Sequence, residues 1–288
     1  MITLSQLLNK TNSPWNPNID PCKWERVNCS GSSITHLSLS GFGLSSSEFL
    51  PVVCNISSLQ ALDVSNNQLS SIPNDFIRTC GGINGFKLLN FSRNSFDGYS
   101  FDGSIPTNLG KSKALEQLEF SVNNFQNVIP DQIADFRNLT LIDLSVNQLS
   151  GSIPHRIGEL SKLEVLILSE NNLNGGIPAN LSNIATLSRF AANENNFSGQ
   201  IPDGLTRYLK NLDLSYNKLS GLIPPELLSQ PNLQTVDMSY NKLEGPIPKE
   251  ISSSLVRLRL GSNSLSRGHP VFNMCNTWSI DLLGTGKQ

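Results

Sequence analysis

The stretch Leu163–Pro178, LEVLILSENNLNGGIP, decides how the whole chain is read. Leu163, Leu166 and Leu168 occupy its first, fourth and sixth positions, the spacing with which a short strand points side chains inward. Asn171 follows at the turn that leaves the strand, and Leu173 returns to the interior. The glycines then supply a permissive backbone, and Pro178 fixes φ on the way out. A strand this short cannot bury its leucine face alone, so the stretch makes physical sense only if it recurs and stacks.

It recurs. LQALDVSNNQL, LTLIDLSVNQL, LKNLDLSYNKL and LQTVDMSYNKL share its pattern L-x-x-L-x-L-x-x-N-x-L, the signature of a leucine-rich repeat. The asparagine falls at Asn67, Asn94, Asn123, Asn147, Asn171, Asn195, Asn217, Asn241 and Asn263, and ITHLSLSGFGL adds a first copy with Phe42 in that slot. The pattern predicts an α/β-type solenoid of about ten coils, with parallel strands on its concave face. The asparagine amide is expected to satisfy backbone groups of adjacent coils rather than to contact a ligand. An interval of 24 residues dominates; the step of 29 between Asn94 and Asn123 contains SFDG twice, so Tyr99–Gly103 reads as a looped-out duplication. Two steps of 22 shorten the return segments IPDGLTRYL and IPKEISSSL, which loops on repeats tolerate.

A second motif follows most of the asparagines: LSGSIP, LNGGIP, FSGQIP, LSGLIP and LEGPIP. Here the sequence resembles the plant-specific class of leucine-rich repeats, L-x-G-x-I-P, of receptor-like kinases and receptor-like proteins at the plant cell surface. The resemblance covers roughly Leu4–Leu265 and implies a right-handed leucine-rich-repeat superhelix with an extra short strand at G-x-I-P. SPWNPNIDPCKWERVNCS resembles that family's N-terminal cap, with Cys22 and Cys29 as its disulfide and Arg26 where the family has glycine. The expected division is a cap over 1–33, about ten repeats over 34–265, and an atypical tail over 266–288 that reads as truncated.

Composition narrows the partners. The chain has 288 residues, 38% apolar and 15% charged, with a net charge of −2, which leaves no electrostatic footprint for nucleic acid. No apolar run approaches the roughly 20 residues of a membrane span, so no insertion by this chain is expected. MITLSQLLNK is too short and polar in its apolar part to serve as a signal peptide.

Cys54 and Cys80 precede their asparagines by 13 and 14 residues, nearly equivalent places on adjacent coils, so a bridge between them is expected. Cys275 is left over. No metal or cofactor site is expected, because His36, His155 and His269 are scattered and none accompanies the cysteines at ligand spacing. Glycan acceptors are expected at Asn9, Asn55, Asn138, Asn180 and Asn196; Asn28, beside Cys29, and Asn90, inside a strand, are poor ones. With the cysteine pairs, these place the chain on the extracellular, apoplastic face of the plasma membrane. No catalytic constellation stands out. LLGTGKQ has Asp281 where a phosphate loop needs its first glycine and Gln288 where it needs Ser or Thr, and no kinase motif occurs, so a non-catalytic binding role is expected.

Stacked parallel strands turn their outward positions into columns. Leu141, Val146, Val165 and Ile167 read as an exposed apolar patch, and Tyr216 and Tyr240 as amphipathic rings one coil apart. Arg257 and Arg259 flank Leu258 and leave the same strand face, with Asp213 and Asp237 on preceding coils and Arg189 further back. In peptide-sensing plant receptor kinases, the resemblance implies, such an R-x-R holds the free C-terminal carboxylate of an extended peptide. Two guanidinium forks suit one carboxylate, although cross-strand pairing with the aspartates alone would also explain the arginines. The reading is a ligand-binding, peptide-sensing ectodomain, with a leucine-rich-repeat co-receptor implied by the resemblance. The alternatives are a secreted inhibitor of a cell-wall hydrolase, such as a polygalacturonase inhibitor, or a non-functional receptor fragment.

Overall fold

The structure, a computed structural model, describes residues 15–16, 18–73, 76, 80, 85–96, 105 and 114–266, and the backbone of 279–281. The duplication at Tyr99–Gly103, the acceptor Asn9 and Cys275 lie outside the described residues. The chain divides into two compact units, residues 1–148 and 149–288. No helix among the described residues is long and apolar enough to cross a membrane.

In the first unit, β1 (Val27–Ser30) and β2 (Ser33–Ser38) form an antiparallel hairpin. From β2 the sheet runs on in parallel through β3 (Ala61–Asp63), β4 (Leu88–Asn90), β5 (Gln117–Glu119) and β6 (Leu141–Asp143). Leu37, Leu62, Leu89, Leu118 and Ile142 stack in register and are almost wholly buried. Phe91, Phe96, Phe120 and Phe125 extend that core as stacked or tilted rings 5.3–6.0 Å apart, which widens it beyond what leucine alone fills. Helix in this unit includes the short α1 (Leu50–Val53) and a 3₁₀ turn at Asp131–Asp135.

The cap closes the first coil. Trp15 and Trp24 stack with centroids 5.0 Å apart, and each indole N–H donates to a backbone carbonyl, of Glu25 and Asn16 respectively. Arg26 stands at φ 63°, which explains why the resembling family keeps glycine there. Its guanidinium donates to the Ser40 carbonyl and lies 5.5 Å from the centroid of the Phe42 ring, contacts that offset the unfavourable backbone. Cys22–Cys29 and Cys54–Cys80 are both disulfides, with Cα atoms 5.7 and 4.8 Å apart.

The second unit carries two parallel sheets. One holds β8 (Val165–Ile167), β10 (Arg189–Ala191), β12 (Asn211–Asp213), β14 (Thr235–Asp237), β16 (Arg257–Arg259) and β18 (Ser279–Asp281). The other follows the G-x-I-P motifs: β7 (Ser150–Gly151), β9 (Asn172–Gly175), β11 (Asn196–Gly199), β13 (Lys218–Leu222), β15 (Lys242–Pro246) and β17 (Ser264–Ser266). Strand β18 falls within the segment 266–288, expected to be an atypical tail. It pairs with β16 at a step of 22 residues, the step already used twice upstream. The sequence signal was SIDLL, in which Ile280 and Leu282 alternate around Asp281 as the leucines do around the aspartate of LDLS.

Each ladder asparagine works as expected. The amide nitrogen of Asn195 donates to the carbonyls of Leu168, Ala192 and Asn193, and its oxygen accepts from the Leu173 amide. Asn67, Asn123 and Asn241 repeat this arrangement in their own coils. The residue before the asparagine brings a feature that sequence reasoning missed. Asn66, Arg93, Val122, Val146, Glu170, Glu194, Tyr216, Tyr240 and Ser262 all sit at φ between 52° and 56°, in the left-handed region. That conformation costs a non-glycine residue roughly 1–2 kcal/mol. It persists because the strained residue's amide donates to the next coil, as from Glu194 to Ser215 O and from Tyr240 to Gly261 O.

Candidate functional site

The outward face of the second unit's β8–β18 sheet carries the residues on which a ligand reading depends. Its pleat sets them in two columns. Val165, Arg189, Asn211, Thr235 and Arg257 lie in register in one, and Ile167, Ala191, Asp213, Asp237 and Arg259 in the other. Neighbours in a column stand about 4.8 Å apart, so a change of residue type is felt one strand away.

The aspartates have a structural duty first. Asp213 Oδ1 accepts from the amide and hydroxyl of Ser215, and Asp237 Oδ1 does the same for Ser239. Asp63, Asn90 and Asp143 hold the matching turns in the first unit. This is the local side-chain turn that short carboxylates and amides make. It leaves one carboxylate oxygen of each aspartate for other work. Burial pushes the Asp213 carboxyl above its ordinary value and Asp237 pushes it further, while the Ser215 bonds and Arg259 oppose the rise.

At Ile167 and Ala191 the aspartate column is interrupted, and Ala191 contributes only a methyl group. An open depression forms there, bordered by Ile167, Arg189, Ala191, Asp213, Asp237, Arg257 and Arg259. It grades from an apolar step, past two carboxylates, to the arginine pair. Arg259 Nη1 lies 3.5 Å from Asp237 Oδ2, a single long contact on a half-exposed side chain. Arg257 is exposed and has no ion-pair partner among the described residues. The cross-strand explanation therefore accounts weakly for Arg259 and not at all for Arg257. With β18 beyond them, the arginines do not stand on the sheet's last strand.

The apolar patch differs from its expectation. In the first unit Leu141 and Val146 are half-buried, and in the second Val165 and Ile167 are half-buried too. Residues one strand apart in a column shield each other's flanks, so an apolar residue there loses much of its exposure. The exposed aliphatic groups among the described residues are instead Ile19, Val122 and Val128 in the first unit, and Leu222 and Val256 in the second. Leu222 ends β13, and the others lie outside the strands, where the core pattern gives no signal. Tyr216 and Tyr240 are about half exposed, with ring centroids 4.1 Å apart.

The acceptor asparagines also separate. Asn55 is exposed after α1, whereas Asn138 and Asn196 are half-buried. The Asn180 side chain turns to the neighbouring coil. Its amide nitrogen donates to the His155 carbonyl, and its Oδ1 is buried without a partner, so the side chain is committed to the neighbouring coil. Asn90 lies on β4 with its amide nitrogen on Glu119, as a poor acceptor should.

A leucine-rich-repeat family model matches residues 58–80, 138–160, 162–184, 208–229 and 232–253. No curated protein matches the sequence. Among solved structures, the plant peptide hormone receptor RGFR1 in complex with RGF2 is 35% identical with a TM-score of 0.68, covering 75% of this chain and 34% of that one. The leucine-rich-repeat ectodomain of the Arabidopsis receptor kinase HAESA, in complex with an N-terminally extended IDA peptide hormone, is 27% identical with a TM-score of 0.75, covering 92% and 49%. A plant ice-binding protein, 24% identical with a TM-score of 0.75 and covering 92% and 86%, shares the fold. The chain thus spans between a third and a half of the length of those two receptors.

Proposed function

The chain is built of leucine-rich repeats, and from that premise we propose that it is the ligand-binding part of a plant cell-surface receptor, taking an extended peptide along the β8–β18 face. One observation carries this reading. The depression beside Ile167 and Ala191 opens toward Arg257, a guanidinium with no ion-pair partner among the described residues, and toward Arg259, held by one long contact. Two adjacent guanidinium forks suit a terminal carboxylate, and the apolar step accepts a residue upstream of it. Asp213 and Asp237 would favour a basic or amide-bearing residue between the two. The likeness to two receptors whose structures contain peptide hormones supports the same class of ligand. Fold alone does not, since the ice-binding protein has it too.

An extracellular setting agrees with the two disulfides and with Asn55 as an exposed glycan acceptor. Asn138 and Asn196 are weaker acceptors in the same reading. A co-receptor would have to use surface that the peptide leaves free.

The test is calorimetric titration of the secreted chain with extended peptides bearing free or amidated C-termini. Binding that is lost on amidation, and lost in the Arg257→Ala/Arg259→Ala double variant, is the expected result. Binding indifferent to both removes the arginine pair from the site. Absence of binding to every peptide overturns the receptor reading in favour of hydrolase inhibition, measured directly against a polygalacturonase.

A further inference from the structure

Tyr216 and Tyr240 lie outside the ionic column and carry a chemistry of their own. Both occupy the left-handed position before a ladder asparagine, at φ 52° and 55°. Their amides donate to Ser239 O at 3.0 Å and Gly261 O at 2.9 Å, so their backbones are fixed by the coil ladder. The rings project from the face with 49% and 50% of the residue exposed. Their centroids are 4.1 Å apart and their planes 10° apart, closer than the 4.5–7 Å usual for aromatic pairs. Glu194 and Ser262 flank them in the column, neither of them aromatic, so the pair is isolated as well as stacked.

We propose that Tyr216 and Tyr240 are an oxidative cross-linking site, joined ring to ring as dityrosine by a haem peroxidase using hydrogen peroxide. Each phenol gives up one electron and one proton, and its unpaired electron spreads onto the ring carbons beside the oxygen. The two radicals form one carbon–carbon bond between such carbons. The hydrogens on the joined carbons then move to the oxygens and restore both aromatic rings. The pair loses two hydrogens in all, and one peroxide becomes two waters. The geometry favours this partnership over diffusion, because the two rings already lie face to face, 4.1 Å between centroids, before oxidation begins. Tyr208 is 38% exposed but stacks on no other ring among the described residues.

The link would join two coils through residues 24 apart in sequence, beside the column that holds Asp213 and Asp237. It would restrict the unfolded chain as a disulfide does, and fix the spacing of that edge of the face. The reaction depends on the extracellular reading only for its supply of peroxidase and peroxide.

The experiment treats the purified chain with a haem peroxidase and hydrogen peroxide, digests it with trypsin, and identifies linked peptides by mass spectrometry. The expected product joins peptide 211–218 to peptide 219–242, two hydrogens lighter than their sum, at a rate independent of protein concentration. It should be absent in Tyr216→Phe and Tyr240→Phe, which keep the rings and hence the packing; circular dichroism checks that both variants fold. Oxidised tyrosines without this linked pair would overturn the proposal. So would a link found only in covalent dimers, or one that survives in either phenylalanine variant.

Discussion

Arg259 Nη1 stands 3.5 Å from Asp237 Oδ2, while the other oxygen of that carboxylate is taken by the amide and hydroxyl of Ser239. The two halves of Asp237 thus do different jobs, and their energies differ. A half-exposed ion pair contributes well under about 1 kcal/mol, whereas a half-buried turn held by two hydrogen bonds contributes about 1–2 kcal/mol. Arg259→Ala should leave the urea midpoint of the second unit almost unchanged. Asp237→Ala should lower it clearly, and Asp237→Asn should keep most of the loss from appearing, because Asn90 already holds the equivalent turn with an amide. Equal losses in Arg259→Ala and Asp237→Ala would refute this division.

The ladder asparagines are the costliest polar residues to remove. Asn195 is 8% exposed, and its side chain serves three carbonyls and one amide. Asn195→Ala leaves those groups inside the protein without partners, and each such group costs about 1–3 kcal/mol where water cannot reach it. A destabilisation of about 3 kcal/mol or more is expected in chemical unfolding. Asn195→Asp, nearly the same in shape, should be almost as damaging, since a carboxylate can accept from Leu173 but cannot donate to the three carbonyls. A mild effect of either variant would mean that water replaces the amide.

Left-handed backbone at a β-branched residue makes the opposite kind of variant informative. Val122 has φ 55° and is 37% exposed, so its side chain contributes little packing to set against a backbone cost of roughly 1–2 kcal/mol. Glycine relieves that cost but adds roughly 0.5–1 kcal/mol of entropy to the unfolded chain. Val122→Gly should therefore be neutral or stabilising by up to about 1 kcal/mol. Val122→Pro cannot adopt the angle and should unfold the coil. Differential scanning calorimetry of the two variants separates the cases.

The repeat was legible because its physics is periodic. A leucine at most core positions and an asparagine at nine of the ten turns are visible one coil at a time, and they stack as they read. Three features were not legible from such a pattern. The left-handed position tolerates Asn66, Val122 and Tyr216 alike, so its backbone leaves no residue signature. The half-burial of Val165 and Ile167 depends on the strands beside them rather than on their own identity. Strand β18 keeps the 22-residue step but lies in a stretch without the full L-x-x-L-x-L-x-x-N pattern, so SIDLL gains meaning from its register with Arg257–Arg259. The candidate site was partly legible for the same reason. Arg257 and Arg259 follow directly from the two-residue pleat, but the depression beside them depends on Ala191 being small and Ile167 uncharged in a column whose next members are Asp213, Asp237 and Arg259.

Glu119 in the first unit gives a test of that acidic column by pH. It lies in register between Asn90 and Asp143, with Asp63 one strand beyond Asn90. Burial, then Asp143, then Asp63 push its carboxyl above the ordinary 4.5. The folded chain therefore holds this proton over a pH range in which the unfolded chain has released it. Below the ordinary value both states are protonated and the neutral side chain is tolerated. As pH rises through the interval above 4.5, the unfolded state ionises first, and this residue's contribution to stability falls. At neutral pH the folded state carries a carboxylate that it disfavours. Glu119→Gln keeps an acceptor for the Asn90 amide and removes the charge. The variant should be more stable than the parent at neutral pH, with the advantage shrinking to nothing as pH falls below about 4.5. Urea midpoints across that range decide it. A constant difference at all pH values would assign the effect to packing, and a lower midpoint for Glu119→Gln at neutral pH would show the carboxylate to be favourably paired.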